Sequence, residues 1–233
     1  MSVALVLGTG LVAGSLHVLA GPDHLAAVLP LAVVDRRKAV RTGALWGLGH
    51  GIGVLVLGGL GQVFKDRIDV ESWSGGAELV VGVMLLVVGV WALVRSRTLT
   101  IHSHPHPHPH RHRTWQTTHR HPHVHVHDPS VGAPQHPQVG RHEGHGHSAF
   151  GFGMLHGAAG TGHLLGVLPS LALEPSSAAM YLLAYLAAAV ASMAGFASLV
   201  GRLTQGRVRG ALQWSGALSV VVGGAWIGMG VVG

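Results

Sequence analysis

Three side chains that can bind a metal ion lie close together near the start of the chain. His17, Asp23 and His24 interrupt an otherwise apolar run, residues 16–30, which reads LHVLAGPDHLAAVLP. Ionisable groups at membrane depth are costly, so they are interpreted first as functional. Neutral imidazole with a carboxylate suits Zn, Ni, Co or Fe. The chain has no cysteine, which excludes disulfides and thiolate metal sites.

The spacing of the two histidines predicts a break in the helix between them. On a straight helix His17 and His24 would share a face but lie about 10 Å apart along the axis. The ligand atoms of one ion must lie within roughly 2.0–2.2 Å of it. Gly21 and Pro22 stand between the histidines, and a proline removes a backbone donor and disfavours helix at the preceding residue. A break there would bring both imidazoles to one ion and let Asp23 turn inward.

The same motif occurs a second time. Residues 155–169 (LHGAAGTGHLLGVLP) are identical to residues 16–30 at nine of fifteen positions, at an offset of 139. This match places His156 and His163 at the positions of the first two histidines. The aspartate has a glycine as its counterpart, so the carboxylate comes from the first copy alone.

Composition predicts the elements that must position these residues. Of 233 residues, 48% are hydrophobic and 10% are charged, whereas soluble domains carry about 25% charge. Several runs are long enough to cross a bilayer. We therefore predict an all-α integral membrane protein with six transmembrane helices, at about 3–34, 42–64, 74–94, 149–172, 177–200 and 211–232. His50 lies near the middle of the second.

The duplication divides the chain into three parts. Residues 1–97 and 148–233 are predicted to be two three-helix repeats, each with a broken first helix. Because each repeat has an odd number of spans, the second is inverted, as is typical of secondary transporters. Residues 98–147 hold 15 of the 20 histidines in a proline-interrupted polar segment. Such a segment is predicted to be disordered or polyproline-like.

Basic residues predict the orientation. The net charge is +6, and 13 of the 15 Lys and Arg fall on one predicted side of the membrane. By the positive-inside rule both termini lie outside, and the histidine-rich segment is a cytoplasmic loop at the cytoplasmic (inner) membrane. The first span is interpreted as uncleaved, since no basic residue precedes it. The positive charge is assigned to membrane orientation and not to nucleic acid.

The motifs resemble those of a known superfamily. HVLAGPDH and Leu48-Gly49-His50 are similar to the signature of the nickel/cobalt permease superfamily, and residues 153–165 (GMLHGAAGTGHLL) are similar to a Gly-rich segment of its urease- and hydrogenase-associated branches. The resemblance implies Ni²⁺ or Co²⁺ as transported substrate, with His17, Asp23 and His24 as the selectivity site. Here five residues separate His and Asp, whereas the best-known uptake members have four residues between them. Those members also have eight spans. Six spans and a histidine-rich loop look more like the efflux branch.

Other interpretations stay open from sequence alone. The proposed metal ligands are His17, Asp23, His24, His50, His156 and His163. Each could instead serve packing, and the pair in the second copy could be a remnant of duplication. A membrane accessory or sensor protein that holds metal without moving it is the alternative function, and a b-type haem protein is a further one. No HExxH, GxSxG or P-loop motif is present, so we expect no enzyme and no organic cofactor. The bilayer and divalent ions are the expected partners, and a homo-oligomer is left open.

The sequence predicts that the primary site is not in the histidine-rich segment. Deletion of residues 102–147 is expected to leave metal flux measurable in proteoliposomes, with an altered response at low metal concentration. The measurement is initial-rate flux at matched protein levels. Loss of all flux in a variant that inserts normally would move the site into the deleted segment.

Overall fold

The structure, a computed structural model, describes residues 2–34, 38–64, 70–98, 100–111, 116–127, 144–159 and 162–232. Within these ranges the helices are α1 (Val3–Ala20), α2 (Pro22–Val34), α3 (Ala39–Phe64), α4 (Val70–Thr98), α5 (Gly144–Ala159), α6 (Gly162–Leu171), α7 (Pro175–Leu203) and α8 (Val208–Val232). The strands are β1 (Thr100–Arg111) and β2 (Gln116–His127). Outside the histidine-rich segment, every regular element of the described chain is helical, which agrees with the predicted all-α class.

The first predicted span divides at the predicted position. α1 ends one residue before Gly21, whose backbone is extended (φ −77°, ψ 112°), and α2 begins at Pro22. The Gly21 N–H still donates to the His17 carbonyl at 3.2 Å, whereas proline has no N–H to continue the ladder. A Cβ on Gly21 would collide with the imidazole of His24. Glycine therefore lets this imidazole fold back over the break.

Four helices of the described chain are long and apolar enough to cross a membrane: Val3–Ala20, Glu78–Thr98, Pro175–Leu203 and Val208–Val231. Large apolar side chains are exposed along them, among them Leu16, Val94, Leu183 and Val221. Soluble proteins rarely expose large contiguous apolar patches, and helices satisfy their backbone groups internally in lipid. These features indicate a membrane protein. The predicted six crossings and their inversion stay predictions.

Glycines set the spacing of α3 and α5. A Cβ on Gly153 would collide with the carbonyl oxygen of Trp46, and one on Gly157 with that of His50. Small residues let membrane helices approach closely enough for their backbones to touch. The glycines of α5 therefore fix the part of α3 that carries Trp46 and His50.

A second close contact joins α4 to α8. A Cβ on Gly82 would lie 2.8 Å from the Gly223 carbonyl oxygen, and one on Gly223 would lie 2.7 Å from the Gly82 carbonyl oxygen. The Ser219 hydroxyl donates to the carbonyl of Ala26 at 2.7 Å, which ties α8 to α2. The main helix pairs are thus α1 with α7, α3 with α5 and α7, and α8 with α2 and α4.

Two stretches of the histidine-rich segment are strands in the structure, and disorder of the segment as a whole stays a prediction. β1 and β2 pair antiparallel, with Thr100 opposite His127 and Arg111 opposite Gln116. Prolines occupy every second position over 105–109. In a two-stranded ribbon alternate N–H groups point away from the partner, so prolines at those positions remove no ladder bond. The residues between the strands, 112–115, and residues 128–143 lie outside the described ranges.

Two adjacent glycines of α8 provide a test of the helix packing. Gly223 is buried against α4, whereas a Cβ on Gly224 would meet nothing within 4 Å. We expect Gly223→Ala to lower the thermal midpoint in detergent, because the helices must separate, and Gly224→Ala to leave it unchanged or slightly raised, because alanine is the better helix former. The measurement is thermal unfolding of both purified variants. Equal midpoints for the two variants would contradict the close α4–α8 contact.

Candidate metal centre

The structure brings five of the six predicted ligands into one cluster. They come from four helices: His17 of α1, Asp23 and His24 of α2, His50 of α3 and His156 of α5. The sixth, His163, lies on α6, and its side chain is outside the described part of the chain. Whether any of them binds an ion stays a prediction.

His24 is at the centre of the cluster. Its ring centroid lies 4.7 Å from that of His17, 4.7 Å from that of His156 and 4.8 Å from that of His50. All three approach it edge-on. The break at Gly21 makes this possible, because on a continuous helix His17 and His24 would lie about 10 Å apart along the axis.

Asp23 places one carboxylate between two imidazoles. Its Oδ1 lies 3.1 Å from Nδ1 of His24, and its Oδ2 lies 3.1 Å from Nε2 of His156. Asp23 is in the first turn of α2, where the helix dipole favours a negative charge. The Asp23 side chain is 9% exposed, and the two imidazoles are buried. Imidazoles from α2 and from α5 thus contact this buried carboxylate at the same time.

The cluster contains two sets of three ligands that share His24. One set is His17, His24 and His50, and the other is Asp23, His24 and His156; within each set the ligand atoms lie within 4.8 Å of one another. Two ligands of one ion bound at about 2.1 Å lie no more than about 4.2 Å apart. Ligand pairs near the 4.8 Å limit would therefore close by at least about 0.6 Å around an ion, or hold it in part through bound water.

The two sets differ in exposure. Asp23, His24, His50 and His156 are buried, whereas His17 is half-buried. The three-histidine set therefore lies nearer the edge of the cluster, and the set with the carboxylate lies deeper. Apolar side chains pack around both, so water is largely kept from the carboxylate.

Two aromatic residues that the sequence analysis did not select line the cluster. Trp46 stacks on His50, with the ring centroids 5.1 Å apart and the planes 5° from parallel. Tyr185 packs against His17 at 5.8 Å. Both are fully buried. The Trp46 Nε1 and the Tyr185 hydroxyl have no hydrogen-bond partner among the described residues.

A signal for these two aromatic residues was present in the sequence. Trp46 and Tyr185 are separated by 139 residues, the offset of the repeated histidine motif. They are also packed alike. A Cβ on Gly14 would collide with the backbone of Tyr185, and a Cβ on Gly153 would collide with the backbone of Trp46. Inspection of the motif alone missed them, because an aromatic residue in an apolar helix is usually part of the core.

Known proteins match the chain over different extents. It is 29% identical over 232 residues to the chloroplast protein FOR GROWTH AND FERTILITY 1 of Arabidopsis thaliana, a match that covers 96% of this chain and 58% of that protein. It is 45% identical over 86 residues to chloroplast protein FOR GROWTH AND FERTILITY 2 of the same plant, which covers 36% of this chain and 23% of that protein. The chain thus spans well under two thirds of either relative.

A third relative is bacterial. The chain is 30% identical over 91 residues to the urease accessory protein UreH of Bacillus sp. (strain TB-90), covering 38% of this chain and 39% of that protein. No family model matches the chain, and no solved structure matches it. The predicted resemblance to nickel/cobalt permeases is therefore supported only by a partial similarity to a urease accessory protein.

Two tyrosines of α7, one helical turn apart, test whether the aromatic residues serve the cluster. The Tyr181 hydroxyl donates to the Gly166 carbonyl at 2.9 Å, whereas the buried Tyr185 hydroxyl needs a partner that an ion-bound water could supply. We expect Tyr185→Phe to weaken Ni²⁺ binding about tenfold, the loss of a hydrogen bond to a charged group, with the melting temperature unchanged.

Tyr181→Phe is the matched control. It removes the same atom from a satisfied hydrogen bond, so we expect a lower melting temperature and unchanged Ni²⁺ affinity. Calorimetric titration and thermal unfolding of both purified variants provide the measurements. If the two variants behave alike in both measurements, the Tyr185 hydroxyl does not act on the metal centre.

Proposed function

We propose that the chain is a membrane permease for divalent transition-metal ions, Ni²⁺ or Co²⁺. The observation that carries the proposal is the buried cluster of four imidazoles and one carboxylate among apolar helices. Imidazole nitrogen and carboxylate oxygen suit late divalent metals. A cluster of this kind at membrane depth is expensive unless it has a function. The metal is the substrate here and not a resident cofactor, and no organic cofactor is proposed.

The shared position of His24 supports movement of an ion through the cluster. An ion held by His17, His24 and His50 can keep His24 as a ligand while it exchanges the other two for Asp23 and His156. Transport requires sites that bind well enough to admit an ion and weakly enough to release it. Two overlapping sets of ligands meet both needs, because no step leaves the ion without protein ligands.

The charge of the cluster supports release. Asp23 is the one carboxylate among the described cluster residues. Since the imidazoles are neutral, this single carboxylate leaves a bound divalent ion with a net positive charge. The ion is therefore not fully neutralised by its ligands and can be released. This charge balance supports a permease, which must release the ion that it binds.

We also propose that the six predicted spans form two inverted three-helix repeats. The packing supports this, since α1 contacts α7 as α5 contacts α3. At an offset of 139, the Gly14–Tyr185 contact becomes the Gly153–Trp46 contact. Trp73-Ser74-Gly75 recurs as Trp214-Ser215-Gly216 at an offset of 141, which makes Gly223 the counterpart of Gly82. These two glycines contact each other, as expected of residues near a twofold axis. In this arrangement both termini are outside the inner membrane and the histidine-rich segment is cytoplasmic.

One of the three relatives bears on the family resemblance. Similarity to a urease accessory protein agrees with the urease-associated branch to which residues 153–165 are similar. A membrane accessory or sensor protein is the second candidate. The 15 histidines of residues 98–147 favour it, because they offer many ligands outside the cluster. Flux into vesicles separates the two, since a protein that only holds metal moves none.

Asp23→Asn tests the proposed function. The substitution keeps size and shape but removes the anion that offsets the dehydration of a divalent ion. We expect at least a tenfold fall in the initial rate of Ni²⁺ or Co²⁺ flux in proteoliposomes, roughly the smallest effect of losing a partner of a metal ligand. Membrane insertion is expected to be unaffected or slightly improved.

Glu174→Gln is the matched control, because it removes the same charge from an exposed residue at the start of α7. We expect wild-type flux from it. Wild-type flux from Asp23→Asn would show that the carboxylate serves the structure alone. Absence of flux from the wild-type protein that still binds Ni²⁺ would favour the accessory or sensor function.

A further inference from the structure

A cavity lies at one end of the helix bundle, away from the metal centre. Its volume is about 310 Å³, and α2, α3, α4 and α5 form its walls. One part is polar, with Lys38, Thr42, Arg95 and Ser148. The rest is apolar and includes Trp91 and Phe152. The volume is at the lower end of the range of small-molecule sites.

The cavity lies where one helix ends and two others begin. Lys38 directly precedes α3, and Arg95 is in the last turn of α4. Ser148 is in the second turn of α5. Because α3 begins, α4 ends and α5 begins here, the three residues share one end of the bundle. This is the end at which the sequence places most of the basic residues.

The electrostatics of this cavity are opposite to those of the metal centre. Two cations line it, and none of its described lining residues is acidic. The guanidinium carbon of Arg95 lies 5.7 Å from the centre of the Trp91 ring, a cation–π contact that holds the charge at the wall. A divalent cation is repelled here, so the cavity is not a route for metal. Lys38 offers three N–H donors and Arg95 five, so each can contact an anion in addition to the partners it already has.

We propose that this cavity binds an acidic glycerophospholipid of the adjoining leaflet. The phosphate lies between Lys38 and Arg95, where the hydroxyls of Thr42 and Ser148 can donate to it. An acyl chain follows the apolar wall into the bundle. Basic pockets between membrane helices bind such headgroups. A free phosphate would use only the polar part and leave the apolar wall exposed to water, which disfavours it as the occupant.

The lipid site is independent of the proposed transport. No residue of the metal centre lines the cavity, so lipid binding can be present or absent whether or not metal is moved. The two proposals therefore fail separately, and the lipid is assayed by binding and not by flux.

The test uses the full-length protein in detergent, titrated with phosphatidylglycerol or with phosphatidylcholine of the same chains, and native mass spectrometry counts bound lipid. We expect phosphatidylglycerol to bind more tightly. Loss of a cation that contacts the lipid phosphate weakens binding of the anionic lipid about fivefold, so Lys38→Gln is expected to lose about fivefold and Lys38→Gln with Arg95→Gln about thirtyfold.

Arg97→Gln is the matched control. Arg97 is exposed on the same helix, two residues after Arg95, and does not line the cavity. It is expected to keep wild-type binding. Equal binding of the two lipids, or an equal loss in Arg97→Gln and Lys38→Gln, would overturn the proposal.

Two further outcomes complete the test. If the double variant does not fold, the exposed Lys38→Gln variant alone decides, and wild-type affinity from it would contradict the site. Inorganic phosphate is added as a competitor at the lipid concentration. Displacement of phosphatidylglycerol by phosphate at equal concentration would reject the lipid as the occupant, and failure to displace it supports the contribution of the apolar wall.

Discussion

A carboxylate held among apolar helices is the constraint on which the rest of the structure depends. Asp23 is met by imidazole nitrogens of His24 and His156, each at 3.1 Å. Removal of one partner from a buried charge typically costs several kcal/mol. The position of α2 relative to α5 is therefore constrained. The glycines of α5 in turn set the position of α3 and of His50. The break at Gly21 serves the same purpose, because it turns the start of α2 inward.

Local chemistry made part of this arrangement predictable. The Gly21-Pro22 pair disfavours a continuous helix, so the division between α1 and α2 could be predicted from two adjacent residues. The approach of His50 and His156 depends instead on which helices pack, and only the repeated motif and the family resemblance pointed to it. Trp46 and Tyr185 escaped notice because an aromatic residue in an apolar span carries no local sign of what it contacts. The prediction for the histidine-rich segment used composition alone. Composition does not show that alternating prolines are compatible with a two-stranded ribbon.

The two copies of the motif contribute unequally to the cluster. The first copy supplies the carboxylate, whereas the second has Gly162 at that position. His50 has buried Ala189 as its counterpart on α7. Trp46 and Tyr185 fill equivalent positions with different polar groups. Of the two copies of the motif, the first therefore supplies the charge and most of the described ligands.

The pairing of helices has a consequence for how the protein is made. α1 packs on α7 and α3 on α5, so each early helix finds its main partner among the later ones. During synthesis the first four helices leave the ribosome before those partners exist. Their glycine faces are then unpacked, and Asp23 has no contact with His156. The nascent first half is therefore an incomplete unit in the bilayer. Completion of the polypeptide, and not insertion of its first helix, is the step that gives the carboxylate its second imidazole partner.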